Sequence, residues 1–310
     1  MIINVPDTTA TGIHMALVKA RHNIGVASSM VFTMIVVADG KHYGRALAAC
    51  EDAGREHPSR IILVTNGDDD SDHLDAEIRL GEEVPGEIIL LRFHGQLTEH
   101  RASVVLALLL PDSPVVTWWP GSAPDKPGED PLGKLAIRRI TDAVGSSRPL
   151  AAIERRARNY SPGDTDLTWT RLTPWRALLA SALDSYPATI TAASVESASP
   201  DNAAGMLLSA WLEDRLKVPV EHGDGTGIGI TKVTLTSKKG DIVIAREDGR
   251  MATFSAPGLP RRRVALRRRE ISALITEELR RLDVNDIFAS AMQVLVDRCE
   301  RRDAQKATNA

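Results

Sequence analysis

The chain has 310 residues, enough for two domains of ordinary size, and its 43% hydrophobic and 25% charged content is that of a globular protein. A formal net charge of −3 argues against nucleic acid as the partner, and the longest apolar run, 104–110, is too short to cross a bilayer. Residues 1–10 hold Pro6 and Asp7 and no basic stretch leading into an apolar run, so no secretory signal is read there and the cytoplasm is the expected location.

In chain order, Thr8 or Thr9 caps a helix to about Arg21. The continuous apolar run 30–38 (MVFTMIVVA) reads as a strand buried on both faces. An Ala-rich helix follows over 41–56, ended by Pro58, and then a second buried strand, 60–65. Residues 74–80 alternate apolar and charged, as a half-exposed strand at a sheet edge does. A strand over 87–93, a helix over 97–110 and a strand over 114–119 complete the alternation. A short helix and strand over 133–142 and a helix over 148–160 come next. Buried strands alternating with helices predict an open, mostly parallel α/β sheet, whose strand carboxyl ends are the usual ligand positions.

The second half reads differently. Helices are predicted over 174–184, 202–217, 270–282 and 286–301, and extended segments over 189–195, 228–235, 241–246 and 251–255. Turn signals at Lys239-Gly240 and Asp248-Gly249 make the last three an antiparallel meander. The expected organisation is therefore an α/β domain over 1–162, a smaller α+β domain over 163–302 and a polar tail over 303–310.

Chemistry-bearing motifs are few. The glycine-rich stretch 223–229 lacks the Lys-Ser/Thr of a P-loop and continues as strand, so it reads as a loop feeding a strand. The histidines are scattered, and no HExxH, Gly-x-Ser-x-Gly or zinc-spaced Cys/His set occurs. Glu82-Glu83 and 68–70 are acidic loops. No catalytic set, metal site or cofactor is expected. Cys50 and Cys299 are two free thiols and candidate redox residues, with Cys299 expected nearer the surface. Arg261, Arg263, Arg267 and Arg269 would share one face of a strand as a patch for an anion or an acidic partner.

Aromatic residues make up only 4% of the chain, yet five are tryptophans, all between Trp118 and Trp211. Trp175 and Trp211 fall on apolar helical stripes and read as core. Trp118 and Trp119 end a strand. Trp169, Arg171 and Arg176 lie off the stripe of the following helix and form a candidate exposed Trp/Arg surface. Trp118, Trp119, Trp169, Arg171 and Arg176 together are the candidate partner-binding residues.

These motifs carry a resemblance. PDTT near the start, GREHPSR at 54–60, LLLPDSPVVTWWPG at 108–121, IRRITD at 137–142 and YSPGDTDLTWTRLTPWRALLA at 160–180 resemble the OpcA family, the glucose-6-phosphate dehydrogenase assembly proteins of actinobacteria and cyanobacteria. The resemblance implies a non-enzymatic protein without a cofactor. Its partner would be glucose-6-phosphate dehydrogenase, whose active oligomer it would favour, feeding NADPH production in the oxidative pentose-phosphate pathway. The alternative is a sugar-phosphate-binding sensor, or an unrecognised enzyme, using the strand ends of the α/β domain.

Overall fold

A computed structural model describes residues 1–24, 30–68, 70–81, 86–199, 201–246 and 248–308. The Glu82-Glu83 pair and Asp69 lie outside the described residues.

In chain order the elements begin with β1 (Ile2–Val5), α1 (Ala10–Ile24), β2 (Thr33–Val37), α2 (Tyr43–Gly54), β3 (Ser59–Asn66), β4 (Leu74–Arg79) and β5 (Gly86–Phe93). They continue with α3 (Arg101–Leu106), β6 (Val115–Trp119), β7 (Arg138–Thr141), α4 (Pro149–Arg158), β8 (Asp164–Asp166), α5 (Leu167–Arg171) and α6 (Thr173–Ser185). The remainder is β9 (Ile190–Ser197), α7 (Ala203–Leu216), β10 (Val220–Asp224), β11 (Ile230–Ser237), β12 (Ile242–Ala245), β13 (Met251–Ser255), β14 (Arg262–Ala265), α8 (Ile271–Leu279) and α9 (Asp286–Thr308).

The chain divides into two units of interleaved segments. The first comprises Met1–Gly145, Gly163–Thr165 and Ile271–Val284; the second comprises Ser146–Pro162, Asp166–Glu270 and Asn285–Ala310.

The first unit is built on a sheet of order β1-β4-β5-β3-β2-β6-β7-β8. β5, β3, β2, β6 and β7 are parallel; the apolar stretches of β2, β3 and β5 suit strands covered on both faces, whereas β7 buries Arg138 and Arg139. β4 is antiparallel to β5, with Leu74, Ala76 and Ile78 buried and Asp75, Glu77 and Arg79 half-buried between them. The alternation is as expected, but β4 is not an edge strand, because β1 pairs along its outer side. One face of the sheet packs Ile35, Ile62, Val64, Ile89 and Leu91 against Ile13, Leu17 and Ala20 of α1 and Val105 of α3. Thr9 caps α1 by accepting the Gly12 amide at 3.2 Å. The helix expected over 97–110 is shorter: Gly95–His100 is wound as 3-10 helix, and only Arg101–Leu106 is α-helical. Gly95 has φ +55°, and the Asp72 carboxylate accepts the Gln96 amide at 2.6 Å, so the segment is held by a side chain instead of a helical repeat.

Buried ion pairs tie this unit together. Glu87 on β5 accepts from Arg60 on β3 at 2.9 Å and from Arg21 of α1 at 2.7 Å, with Arg60 and Glu87 both buried. Arg60 also donates to the carbonyl of Leu108 at 2.6 Å. α8 belongs here, packed beside α2, and Arg138 of β7 donates to Glu278 of α8 at 2.8 Å.

The second unit has a sheet of order β10-β9-β11-β12-β13-β14, antiparallel except for the β9–β10 pair. The meander β11-β12-β13 is as its turn signals predict. β10 is a correction: Gly223 and Asp224, read as loop, pair in register with Glu196 and Ser197 of β9. Glycine and aspartate weaken the local strand signal, and pairing with β9 overrides it. α7 is capped by Asn202, which accepts the Gly205 amide at 2.8 Å, and it packs on β9, β10 and α9. α9 continues as helix to Thr308, with Arg302 paired to Glu154 of α4 at 2.7 Å.

Candidate functional site

Parallel strands place their carboxyl ends along one edge, and in the first unit the strand order reverses between β2 and β6. Asp39, just past β2, accepts from the amides of Lys41 and His42 at 3.1 Å and from His42 Nδ1 at 2.6 Å. Gly121, just past β6, sits against that imidazole; a Cβ there would lie 2.4 Å from His42 Nδ1. The Asp39–His42 pair therefore occupies the space beside Gly121 at the reversal. The open space lies one strand along, where the ends of β2, β3 and β5 bound a pocket of about 860 Å³ lined by Gly40, Tyr43, Thr65, Asn66, Arg92 and His94. Polar and charged side chains dominate it, and Asp68 and Asp70 stand at its wall.

Beside this pocket the β4–β5 pairing creates a cluster that spacing motifs do not announce. Leu74 pairs with Phe93, so His73 lies opposite His94, whose amide donates to the His73 carbonyl at 3.0 Å. Asp75 shares a strand face with His73. Its Oδ2 lies 3.6 Å from Nε2 of both His73 and His94, and the two rings stack at 3.9 Å. Scattered in the sequence, these residues meet because β4 and β5 pair in this register. The available signal was the register itself.

The tryptophans are all drawn inward to some degree. Trp118 and Trp119 are buried in β6, Trp118 in register with Ile140 of β7 and Val36 of β2. Successive strand residues face opposite sides of the sheet, so both sides are closed here. Trp175 is buried, with the Arg246 guanidinium 5.2 Å from its ring centre, and Trp211 is half-buried.

Trp169 corrects the expected exposed surface, since it is only 1% exposed. The Arg176 guanidinium lies 3.5 Å from its ring centre, and Phe288 of α9 packs on it with ring centres 5.5 Å apart. Arg171 and Arg176 are half-buried, and Arg176 also donates to Thr173 Oγ1 at 3.0 Å. The physical reason is the i, i+7 spacing: across the turn at Leu172 Arg176 stays on the face of Trp169 and reaches back over its indole, while Phe288 covers the ring from α9. The preceding aspartates are equally committed. Asp164 accepts from Arg139, and Asp166 caps α5 through the Thr168 amide at 2.9 Å while accepting from Arg156 at 2.7 Å. The most distinctive motif of the sequence is thus an internal bonding network.

The arginine run is a second correction. Arg262–Ala265 is strand β14, and Arg261, Arg263 and Arg267 are exposed. Arg267 and Arg269 lie past the strand's end, so the four do not share one strand face. Arg269 is half-buried.

Cys50 and Cys299 are free thiols, and both are buried. Burial, with Glu51 adding to it, pushes the Cys50 thiol far up, and burial beside Glu154 pushes Cys299 up to about 11. Cys299 is therefore not the surface thiol expected from its place near a polar stretch. It faces inward from α9.

One serine–histidine contact resembles a catalytic pair: Ser197 Oγ lies 2.7 Å from His222 Nε2. The Ser197 hydroxyl donates to the Ser199 carbonyl at 2.9 Å, which leaves its oxygen to accept from the imidazole. A serine activated as a nucleophile needs the opposite direction. Burial and then the Arg298 charge hold His222 below the usual histidine range.

Taken together, these features define a two-unit protein with a mostly parallel and a mostly antiparallel sheet, whose tryptophan motifs serve its own packing. The chain belongs to the OpcA family. The family model for the N-terminal domain of a glucose-6-phosphate dehydrogenase subunit matches residues 50–158, and the model for the C-terminal domain of such a subunit matches residues 162–292. Among curated proteins, the "Putative OxPP cycle protein OpcA" of Synechocystis sp. (strain ATCC 27184 / PCC 6803 / Kazusa) is 28% identical over 151 residues. That match spans 46% of this chain and 32% of the relative, about a third of its length. Among solved structures, an oxidoreductase from Sinorhizobium meliloti aligns with TM-score 0.49 and 11% identity over 89% of this chain and 98% of its own. A dehydrogenase (MviM) from Clostridium difficile aligns with TM-score 0.43 and 9% identity over 87% of this chain and 99% of its own.

Proposed function

We propose that this chain is a non-catalytic assembly factor and allosteric activator of glucose-6-phosphate dehydrogenase, working in the cytoplasm and supporting NADPH production in the oxidative pentose-phosphate pathway. The observation that carries this reading is the pair of family models, both describing domains of a dehydrogenase subunit, in tandem over 50–158 and 162–292. An activator acts by binding the active state of its target more tightly than the inactive state. The test is a titration of purified glucose-6-phosphate dehydrogenase with this chain, reading activity and oligomer mass together. A rise in activity with a shift to the larger oligomer is expected. No change in either at saturating chain would end the proposal.

A second reading has one specific observation behind it, the polar pocket of about 860 Å³ at the ends of β2, β3 and β5, with Arg92 at its wall. There the chain would be a sugar-phosphate sensor, since a guanidinium binds phosphate bidentately. A thermal-shift series with sugar phosphates separates the two readings. Stabilisation lost in Arg92→Met supports the sensor, and a flat response removes it.

A further inference from the structure

The His73, Asp75 and His94 side chains meet beside the polar pocket, and nothing in the assembly reading uses them. Three features distinguish them from an ordinary surface cluster.

The first is the state of His94. It is buried, only 7% exposed, and neither ring nitrogen has a hydrogen-bond partner among the described residues. The contact to Asp75, at 3.6 Å, is too long for a hydrogen bond. A buried imidazole left without partners is costly, so this one is arranged for a ligand not supplied by the chain.

The second is the orientation of His73. Its Nδ1 lies 3.0 Å from the Ser71 carbonyl and 3.0 Å from Ser71 Oγ. Donation from Nδ1 to the carbonyl leaves the lone pair on Nε2, the nitrogen that faces Asp75. Metal-binding histidines are commonly fixed in this way, with the remote nitrogen donating to a backbone carbonyl. Asp75 is held likewise: Oδ1 accepts the Asp7 amide at 3.0 Å, which leaves Oδ2 to face both imidazoles.

The third is rigidity. The His94 ring is seated against Gly67, where a Cβ would lie 2.0 Å from Cε1. Asp72 ties the loop before β4 to the Gln96 amide at 2.6 Å. The donors therefore come from two paired strand ends whose adjoining loops are fastened to each other.

From this geometry we propose that His73, Asp75 and His94 form a binding site for a divalent transition-metal ion, with zinc as the best match. The ligand atoms would be Nε2, Oδ2 and Nε2, and the three residues offer donor atoms within 4.8 Å of one another. Tetrahedral zinc with bonds near 2.0–2.1 Å holds its ligand atoms about 3.3 Å apart. The two 3.6 Å separations to Asp75 need to close by a few tenths of an ångström, and the stacked rings, 13° from parallel, must tilt apart so that each Nε2 lone pair points at the ion. Two imidazoles and one carboxylate are a donor set for zinc or iron(II); calcium and magnesium take oxygen donors instead. His73 and Asp75 are half-buried, which leaves the fourth position open towards water or a donor from a bound molecule. The ion would clamp the β4–β5 pair at the rim of the pocket and satisfy Nε2, one of the two His94 ring nitrogens that have no partner among the described residues.

The test uses the full chain without a histidine tag, stripped with chelator, then titrated with zinc sulfate by calorimetry. Cobalt(II) is the spectroscopic probe. Binding of one zinc per chain, a tetrahedral cobalt spectrum and a raised melting temperature are expected. Asp75→Asn and His73→Gln keep side-chain size and should each weaken zinc roughly tenfold or more. Circular dichroism of the metal-free variants reports whether they fold. Absence of zinc heat and cobalt absorption in the folded chain would overturn the proposal. So would wild-type affinity in both variants, because the ion would then be held elsewhere.

Discussion

Arg138 on β7 donates to Glu278 on α8 at 2.8 Å, joining residues 140 positions apart in the sequence. The same guanidinium donates to the carbonyl of Asp283 at 2.9 Å. Both charged groups are shut off from solvent, so the pair fastens the 271–284 segment to the first unit rather than decorating its surface.

Removing one partner of such a pair leaves the other charge buried and unmatched. Glu278→Ala should therefore cost about 3–5 kcal/mol of stability. Urea unfolding measures it. A loss below about 1 kcal/mol would mean the pair is solvated in solution, as exposed pairs are.

Gly163 lies in the SPGD turn with φ +95°, and a Cβ there would be 2.4 Å from the Ile137 carbonyl oxygen. Gly163→Ala should destabilise by roughly 1–3 kcal/mol, the range for a residue forced into the left-handed region. Thermal melting against wild type checks it, with Gly121→Ala as a second close-packed site. An unchanged melting temperature would show that the turn relaxes freely.

Arg176→Met keeps the aliphatic stem and removes the cation from the face of Trp169. A loss on the order of 1 kcal/mol is expected for a half-buried cation–π contact. Trp169→Ala, which empties a core site, should cost about 3–5 kcal/mol. If Trp169→Ala instead folded with wild-type stability and merely lost dehydrogenase activation, Trp169 would be a docking residue and the packing account would fail.

The Cys299 thiol is held neutral by burial, its pKa raised from 9.0 to about 11. The folded state keeps its proton where the unfolded state gives it up. This contribution to stability is complete below about pH 9, falls as pH rises towards 11 and is gone above that. Its slope cannot exceed about 1.4 kcal/mol per pH unit. Subtracting the stability profile of Cys299→Ala from that of wild type isolates it, and a flat difference would refute the burial argument. Neither Cys50 nor Cys299 should react with a thiol reagent at neutral pH until the chain is unfolded.

Apolar runs made the first sheet legible. The runs at 30–38, 60–65 and 87–93 each hold four or more successive apolar residues, as doubly covered strands do, and β2, β3 and β5 lie within or around these runs. The meander of the second unit was legible from Lys239-Gly240 and Asp248-Gly249, because glycine turns fix where a chain reverses. β10 was not, since Glu221, His222, Gly223 and Asp224 have no strand pattern of their own and are ordered by β9.

The site was less legible for a different reason. His73 and His94 are related by pairing register, and register depends on a turn that local composition does not specify. Trp169 and Arg176 were visible as unusual residues, but helical spacing alone put them outside a stripe. Trp169 lies on α5, before the helix that carries the stripe, and it is buried by Phe288 of α9 and by Arg176, contacts that the spacing within one helix does not reveal.

The interleaving of the two units sets an order of events during synthesis. A growing chain emerges amino-terminal end first, so β7 leaves the ribosome long before the helix that neutralises Arg138 exists. The sheet of the second unit, β9 through β14, can be complete while the first unit still lacks 271–284. A nascent or truncated chain ending before Ile271 would thus carry a finished meander and an unfinished α/β sheet. Its Arg138, sealed away in the folded protein, would be open to whatever chaperone or partner reaches it first.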